Sequence, residues 1–216
     1  MDLRLGVIFF STLVASAVVH EVSHGVAALW LGDDTAKQAG RLTLNPIPHL
    51  DPFGSVLLPA LGVLSGLPVL AFAKPVPVRV DRLHKRPRDV ILVSLAGPTS
   101  NLLMMLVGAV AARGVYGGLT VSPLWRDLRD FPPLFQLTMA FALVNLFLGI
   151  FNLLPIPPLD GSAILEPVLP ERWRATWYRI RPYGLLIVFA LVFWTGIVGR
   201  VLDPFERTLI DFVTGR

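Results

Sequence analysis

The chain has 216 residues, of which 54% are hydrophobic and 16% are charged, and its formal net charge is +4. Soluble domains average about 45–50% apolar and about 25% charged residues. The composition therefore excludes a disordered, collagen-like or nucleic-acid-binding chain and indicates an integral membrane protein whose partner is the lipid bilayer. Because there is no cysteine, disulfides, thiolate nucleophiles and cysteine-based zinc sites are excluded as well.

Four segments are long and apolar enough to cross a bilayer, which takes about 20 helical residues. They are residues 5–31, 90–112, 133–154 and 183–202. A fifth apolar segment, residues 54–73, contains prolines and glycines that disfavour one straight helix. The sequence thus predicts an all-α polytopic membrane protein with about four spanning helices.

The segments between the predicted spans are polar and rich in turn-forming residues. Residues 40–46 alternate like a short strand that ends in a turn, so we expect a β-like segment there. We expect residues 1–216 to form a single domain. Its core is predicted at about residues 5–165, with an additional C-terminal helix and tail at 183–216.

The first predicted span contains three ionisable residues within five positions, His20, Glu21 and His24. Ionisable groups deep in a membrane helix are costly and indicate function. Residues four apart share one helix face, so the two imidazoles can bind a single Zn²⁺. The neighbouring Glu21 is then placed to act on water as a general base. A polar cluster that only holds helices together is the alternative interpretation.

Two histidines do not complete a catalytic zinc site, which needs a third protein ligand and an open position for water. His49 and Asp51, which follow the motif closely in sequence, are one candidate pair. Asp160 is the other candidate, and three prolines between residues 155 and 158 break the helix just before it. Irregular backbone at membrane depth is tolerated where it lines a cavity, which favours Asp160. The Asp-Gly dipeptide is also typical of a simple turn.

Two motifs together, at residues 20–24 and 152–161, carry a resemblance to a known family. The chain resembles the site-2 protease family of intramembrane zinc metalloproteases (peptidase family M50), in its compact prokaryotic form without PDZ or CBS domains. The resemblance covers about residues 15–165. Further stretches that agree with it are residues 40–46, 51–54, 73–78 and 96–101.

The resemblance implies a site with one Zn²⁺ per chain. The residues that it implies as zinc ligands are His20, His24 and Asp160. It implies that Glu21 is the catalytic base, and that Asn101 and Asn152 bind substrate or support the site. Hydrogen bonding between two helices is an equally good interpretation of the two asparagines.

The depth of the ligands constrains the topology, because zinc–ligand bonds are only 2.0–2.2 Å long. The predicted spans 5–31 and 133–154 must run in the same direction for His20, His24 and Asp160 to meet. That condition requires residues 54–73 to enter and leave by the same face, as a re-entrant helical hairpin.

Loop charge agrees with the hairpin. With it, twelve of the 19 lysines and arginines lie on one face, in loops 32–53, 74–89 and 155–182. The positive-inside rule places that face, and the active site with it, toward the cytoplasm of a prokaryotic inner membrane.

The sequence therefore predicts an intramembrane zinc metalloprotease that hydrolyses peptide bonds of transmembrane or membrane-associated proteins. One alternative is a non-proteolytic zinc-binding membrane protein, such as a transporter or sensor. Transporters commonly show repeated halves and carboxylates along a path, and neither is visible in this sequence. The other alternative is an inactive protease relative that binds transmembrane helices.

Overall fold

The computed structural model describes residues 3–51, 54, 57, 73–119 and 127–215, and the secondary structure of these residues is helical. Three of the described helices are long and apolar enough to cross a membrane: α1 (Leu3–Trp30), α3 (Arg88–Gly117) and α4 (Pro133–Asn152). The shorter helices are α2 (Thr35–Gln38), α5 (Asp160–Leu165), α6 (Glu171–Ile180), α7 (Gly184–Ala190) and α8 (Ile197–Thr214).

The three long helices pack directly on one another, and α8 packs on α3 and α4. Small and apolar side chains fill the interface between α3, α4 and α8. The buried members of this cluster are Ala109, Ala112, Phe135, Met139, Ala142, Leu146, Leu209 and Val213. Small residues let helix backbones approach closely, and van der Waals packing then holds helices together in a membrane.

Contacts between helix ends give the directions of the long helices. The side chain of Arg4, at the start of α1, lies 3.5 Å from the carbonyl oxygen of Arg129, just before α4. The backbone N–H of His84, just before α3, donates to the carbonyl of Leu31, just after α1, at 3.1 Å. Helices α1 and α4 therefore run in the same direction, and α3 runs in the opposite one.

The segments that precede and follow the predicted hairpin are held side by side. Lys74 N–H donates to the carbonyl of His49 at 2.8 Å, and Arg79 N–H donates to the buried carboxylate of Asp33 at 2.5 Å. Burial alone would raise the pKa of Asp33, but hydrogen bonds from Thr35 and Arg79 outweigh it and hold that pKa below its ordinary value. The hairpin predicted at residues 54–73 lies almost entirely outside the described residues.

The predicted β-like segment near residues 40–46 forms no strand. Its polar groups are used locally, because Asn45 N–H donates to the hydroxyl of Thr43 and Ile47 N–H donates to the side chain of Asn45. A strand also needs a second strand beside it, and the described part of the chain supplies none.

The predicted fourth span, residues 183–202, is not one continuous helix. Helix α7 continues into a π-helical turn, Leu191–Thr195, and Gly196 then takes a left-handed conformation with φ of +61°. A left-handed residue ends a helix, and α8 begins immediately after it. The described residues therefore contain three candidate spans where the sequence predicted four.

Candidate metal centre

Helix α1 presents His20 and His24 one turn apart on its buried face. Their Nε2 atoms lie 3.0 Å apart. The loop after α4 brings Asp160 to the same point, with Oδ2 3.1 Å from Nε2 of His20 and Oδ1 3.3 Å from Nε2 of His24. One donor atom from each of the three side chains lies within 4.8 Å of the other two. The structure thus brings together two residues of the first motif and one of the second.

The second nitrogen of each imidazole has its own hydrogen-bond acceptor. Nδ1 of His24 lies 2.7 Å from the carbonyl oxygen of Val93, and Nδ1 of His20 lies 2.5 Å from Oδ1 of Asn101. A carbonyl oxygen only accepts, so the proton of each neutral ring lies on Nδ1. The two Nε2 lone pairs then face each other.

The chemistry of the donor set fits a cation. Two imidazole lone pairs and a carboxylate converge, and Oδ2 of Asp160 is a buried oxygen with no hydrogen-bond partner in the described part of the chain. Nitrogens bonded to a tetrahedral zinc at 2.0–2.1 Å lie about 3.3 Å apart, close to the spacing of the two imidazoles. Two His and one carboxylate also match a catalytic zinc site, which leaves one position open.

Helix α3 packs closely against the two imidazoles. Gly97 faces the two imidazoles, and a Cβ atom at this position would lie 2.6 Å from Nε2 of His20 and nearer still to Nε2 of His24. A side chain here would collide with the rings. The glycine therefore allows α3 to approach the point where the two Nε2 atoms lie beside Asp160.

Glu21 lies beside the donor cluster, and its Oε2 accepts a hydrogen bond of 2.8 Å from the backbone N–H of Val76. Glu21 and the three donor residues line a cavity of about 690 Å³. The remaining walls are mainly apolar side chains of α1, α3, α7 and the end of α4, for example Phe10, Val14, Val90, Phe151 and Val188. A polar, metal-competent end thus opens into an apolar cleft.

The other predicted residues lie in different places. Asn101 contacts His20 directly. Asn152 is on the cavity wall and donates to the carbonyl of Leu148 in its own helix, at 2.9 Å. The alternative ligand His49 lies outside the three-donor cluster, and its Nε2 lies 2.9 Å from the carbonyl of Thr43.

The sequence did not predict a role for Gly97, Asn145 or Ser16 at this centre. The side chain of Asn145 hydrogen-bonds to both Asn101 and Ser16, and the side chains of Asn101, Asn145 and Ser16 are fully buried. A signal was present, because an asparagine is unusual in the apolar run of α4 and Ser16 lies one turn before His20. The sequence does not reveal which helix faces pack together, so the contacts among these side chains could not be predicted from it.

Two imidazoles and a carboxylate between helices of membrane length define a metal-binding integral membrane protein. Comparison with known proteins then gives the family. Residues 129–195 match the sequence model described as peptidase family M50. The Bacillus subtilis (strain 168) protein named "Putative zinc metalloprotease YwhC" is 41% identical over 196 residues, which cover 89% of this chain and 83% of that protein. The chain therefore belongs to peptidase family M50.

More distant relatives are longer than this chain. The Mycolicibacterium smegmatis protein named "Putative zinc metalloprotease Rip2" is 35% identical over 181 residues. These residues cover 82% of this chain and 63% of Rip2. Rip2 of Mycobacterium tuberculosis H37Rv is 37% identical over 164 residues, 75% of this chain and 58% of that protein. No solved structure matches the chain significantly.

Proposed function

We propose that this chain is an intramembrane zinc metalloprotease in which His20, His24 and Asp160 hold one zinc ion. The observation that carries the proposal is the convergence of the three side chains, two from α1 and one from the first residue of α5, on one point. Family membership supports the same activity, since the curated relatives are named as zinc metalloproteases. The names give no support to a transporter or sensor.

Zinc, when bound, supplies a Lewis acid that activates water and polarises the carbonyl of the scissile peptide bond. The residues of the chain do the rest. Glu21 takes a proton from the attacking water and delivers it to the leaving nitrogen. The bond from Val76 N–H to Oε2 fixes the carboxylate of Glu21 and leaves Oε1 to receive that proton. Asn101 and the carbonyl of Val93 orient the two imidazoles.

The cleft suits a substrate that is itself apolar, namely a transmembrane or membrane-associated protein segment. Most of its wall is apolar, and the polar groups gather at the metal end. A transmembrane helix uses its carbonyl groups in its own hydrogen bonds. A substrate helix must therefore unwind locally before a peptide bond can reach the centre. Asn152, on the cavity wall, is placed to contact the exposed backbone.

The topology that we propose keeps residues 54–73 on one side of the membrane as a re-entrant segment. Its support is the pair of backbone contacts, His49 with Lys74 and Leu31 with His84, that join the chain before and after the segment. The metal centre then lies toward the face with the larger number of basic residues, which the positive-inside rule assigns to the cytoplasm.

The exchange of Glu21 for glutamine tests the assigned chemistry. The amide keeps the shape of the side chain but cannot take up a proton, so cleavage of a model transmembrane substrate is expected to fall by about 100- to 10,000-fold. The zinc content, measured by atomic emission on the same sample, should remain one ion per chain. Glu206→Gln on α8 makes the same chemical change away from the centre and should retain activity. Normal turnover by Glu21→Gln would refute the role given to Glu21.

A further inference from the structure

A chain of buried hydrogen bonds runs from His20 across all three long helices. Nδ1 of His20 donates to Oδ1 of Asn101 at 2.5 Å, and Nδ2 of Asn101 donates to Oδ1 of Asn145 at 2.8 Å. Nδ2 of Asn145 in turn donates to the hydroxyl oxygen of Ser16 and to the carbonyl oxygen of Phe141, both at 2.9 Å. The side chains of Ser16, Asn101 and Asn145 are fully buried.

Which group donates and which accepts in this series of hydrogen bonds is set at the carbonyl of Phe141, at the end away from His20. The carbonyl of Phe141 is part of the α4 backbone, so it cannot turn and can only accept. It therefore requires the amino group of Asn145 on its side, which points Oδ1 of Asn145 at Asn101. The same requirement turns the amino group of Asn101 toward Asn145 and its oxygen toward His20.

Ser16 does not set the direction, because a hydroxyl group donates or accepts as its neighbour requires. A reversed chain would place the oxygen of Asn145 against the carbonyl oxygen of Phe141. It would also place the amino group of Asn101 against Nδ1 of His20. The ring would then carry its proton on Nε2, and that nitrogen would have no lone pair for a metal ion.

We propose that Asn145 is a positioning residue for the metal centre, which fixes through Asn101 the nitrogen of His20 that carries the proton. The inference rests on the proposed function, because it takes His20 as a zinc ligand. It extends that function to a residue of α4 that hydrogen-bonds to Asn101, Ser16 and Phe141 rather than to a metal donor and that does not line the cavity.

Three variants separate this role from simple packing. Asn145→Leu keeps a side chain of similar size but offers no acceptor to Asn101, whose amide is then free to turn. Asn145→Asp restores the acceptor, and burial favours the neutral acid, whose hydroxyl can still donate to Phe141. Ser16→Ala removes one partner of Asn145 but leaves the carbonyl of Phe141, so the direction of the chain is kept.

Zinc affinity is measured on each purified full-length variant by competition with a chelator, and the thermal stability of the metal-free form is measured in parallel. Loss of an outer partner of a metal ligand lowers affinity by about 10- to 100-fold, and we expect at least about tenfold for Asn145→Leu. Asn145→Asp and Ser16→Ala should stay within about threefold of the parent protein. A purely structural role would instead make zinc affinity follow the stability of the metal-free form.

The outcomes distinguish the inference from the function on which it rests. Equal zinc affinity in Asn145→Leu and the parent protein would overturn the positioning role alone. Failure of Asn145→Asp to recover affinity, with stability intact, would overturn it too. Full zinc binding by a His20→Ala variant would instead contradict the metal site itself.

Discussion

Each of the two imidazoles in the apolar helix α1 has a dedicated hydrogen-bond acceptor at Nδ1. Unpaired polar groups in hydrocarbon cost several kcal/mol each, so two imidazoles without partners would destabilise α1. Asn101 and the carbonyl of Val93 remove that cost at Nδ1. They also leave a lone pair on Nε2 of each ring, and each Nε2 lies close to a carboxylate oxygen of Asp160. The hydrogen bonds at Nδ1 therefore stabilise the helix and also orient the two imidazoles for a metal ion.

Gly97→Ala tests whether the close approach of α3 to the imidazoles is needed. The added Cβ would lie within 2.6 Å of both Nε2 atoms, and overpacking of this kind costs about 1–3 kcal/mol. Zinc affinity is expected to fall by about tenfold or more, with a parallel loss of cleavage. Chelator competition and a cleavage assay measure the two effects.

The control is Gly114→Ala on the same helix, where an added Cβ would meet no atom within 4 Å. It makes the same chemical change and should leave zinc affinity as it was. If the two alanine variants bound zinc alike, Gly97 would have no special place at the centre.

The proposed metal ligands and base can be recognised in the sequence more readily than the residues that support them. His20, Glu21 and His24 are ionisable groups in an apolar run, and Asp160 follows a proline break, so each stands out from its neighbours. Asn145 reaches the metal centre only through Asn101, which lies on another helix. Its partners are set by how helix faces pack, and the one-dimensional pattern does not contain that information.

At the scale of elements, the loop that carries Asp160 is supported by α7. The first residue of α7, Gly184, packs on the backbone of Pro157, so closely that a Cβ atom would collide with the carbonyl group. The same helix lines the cavity with Leu185, Val188 and Phe189. Helix α7 thus supports the Asp160 loop and forms part of the cleft wall.

Gly184→Ala is expected to displace α7 or the Asp160 loop, because backbone atoms cannot move aside as a flexible side chain would. Overpacking costs about 1–3 kcal/mol, so both zinc affinity and cleavage should fall by about tenfold. The matched change Gly199→Ala, on α8, adds a Cβ in open space and should be neutral. Parent-like zinc affinity and cleavage in Gly184→Ala would show that α7 does not support the loop.

The elements that sequence patterns predicted poorly are those whose form depends on a neighbour. The three long helices follow from apolar length alone, and their positions agree with the prediction. Residues 40–46 alternate as a strand does, but no strand lies beside them in the described structure. The last predicted span is apolar over its whole length, and this property does not show where a helix ends. The helix ends at Gly196, which has a left-handed conformation.

For the whole molecule, the parallel course of α1 and α4 is what allows the two motifs to meet. The same arrangement predicts which loops share a face of the membrane. Because the chain has no cysteine of its own, a cysteine introduced at one position can show which face of the membrane that position occupies, without background labelling. Cysteines at Lys37 and Lys85 should react with an impermeant maleimide from the cytoplasmic side, and one at Gly118 should react from the opposite side.

The comparison of Lys37 with Lys85 is the informative one, since these residues precede and follow the proposed re-entrant segment. Both side chains are exposed, so each should label when its own side is presented to the reagent. Labelling of the two positions from opposite sides of the membrane would show that residues 54–73 cross it, and the proposed topology would be wrong.

In the proposed site, one zinc ion is held by side chains from two distant parts of the chain. The most direct measurement is the position of zinc, from anomalous scattering at the zinc edge in crystals of the purified protein. We expect a single peak 2.0–2.2 Å from Nε2 of His20, Nε2 of His24 and a carboxylate oxygen of Asp160. A zinc ion bound elsewhere, or one that leaves Asp160 outside its coordination sphere, would contradict it.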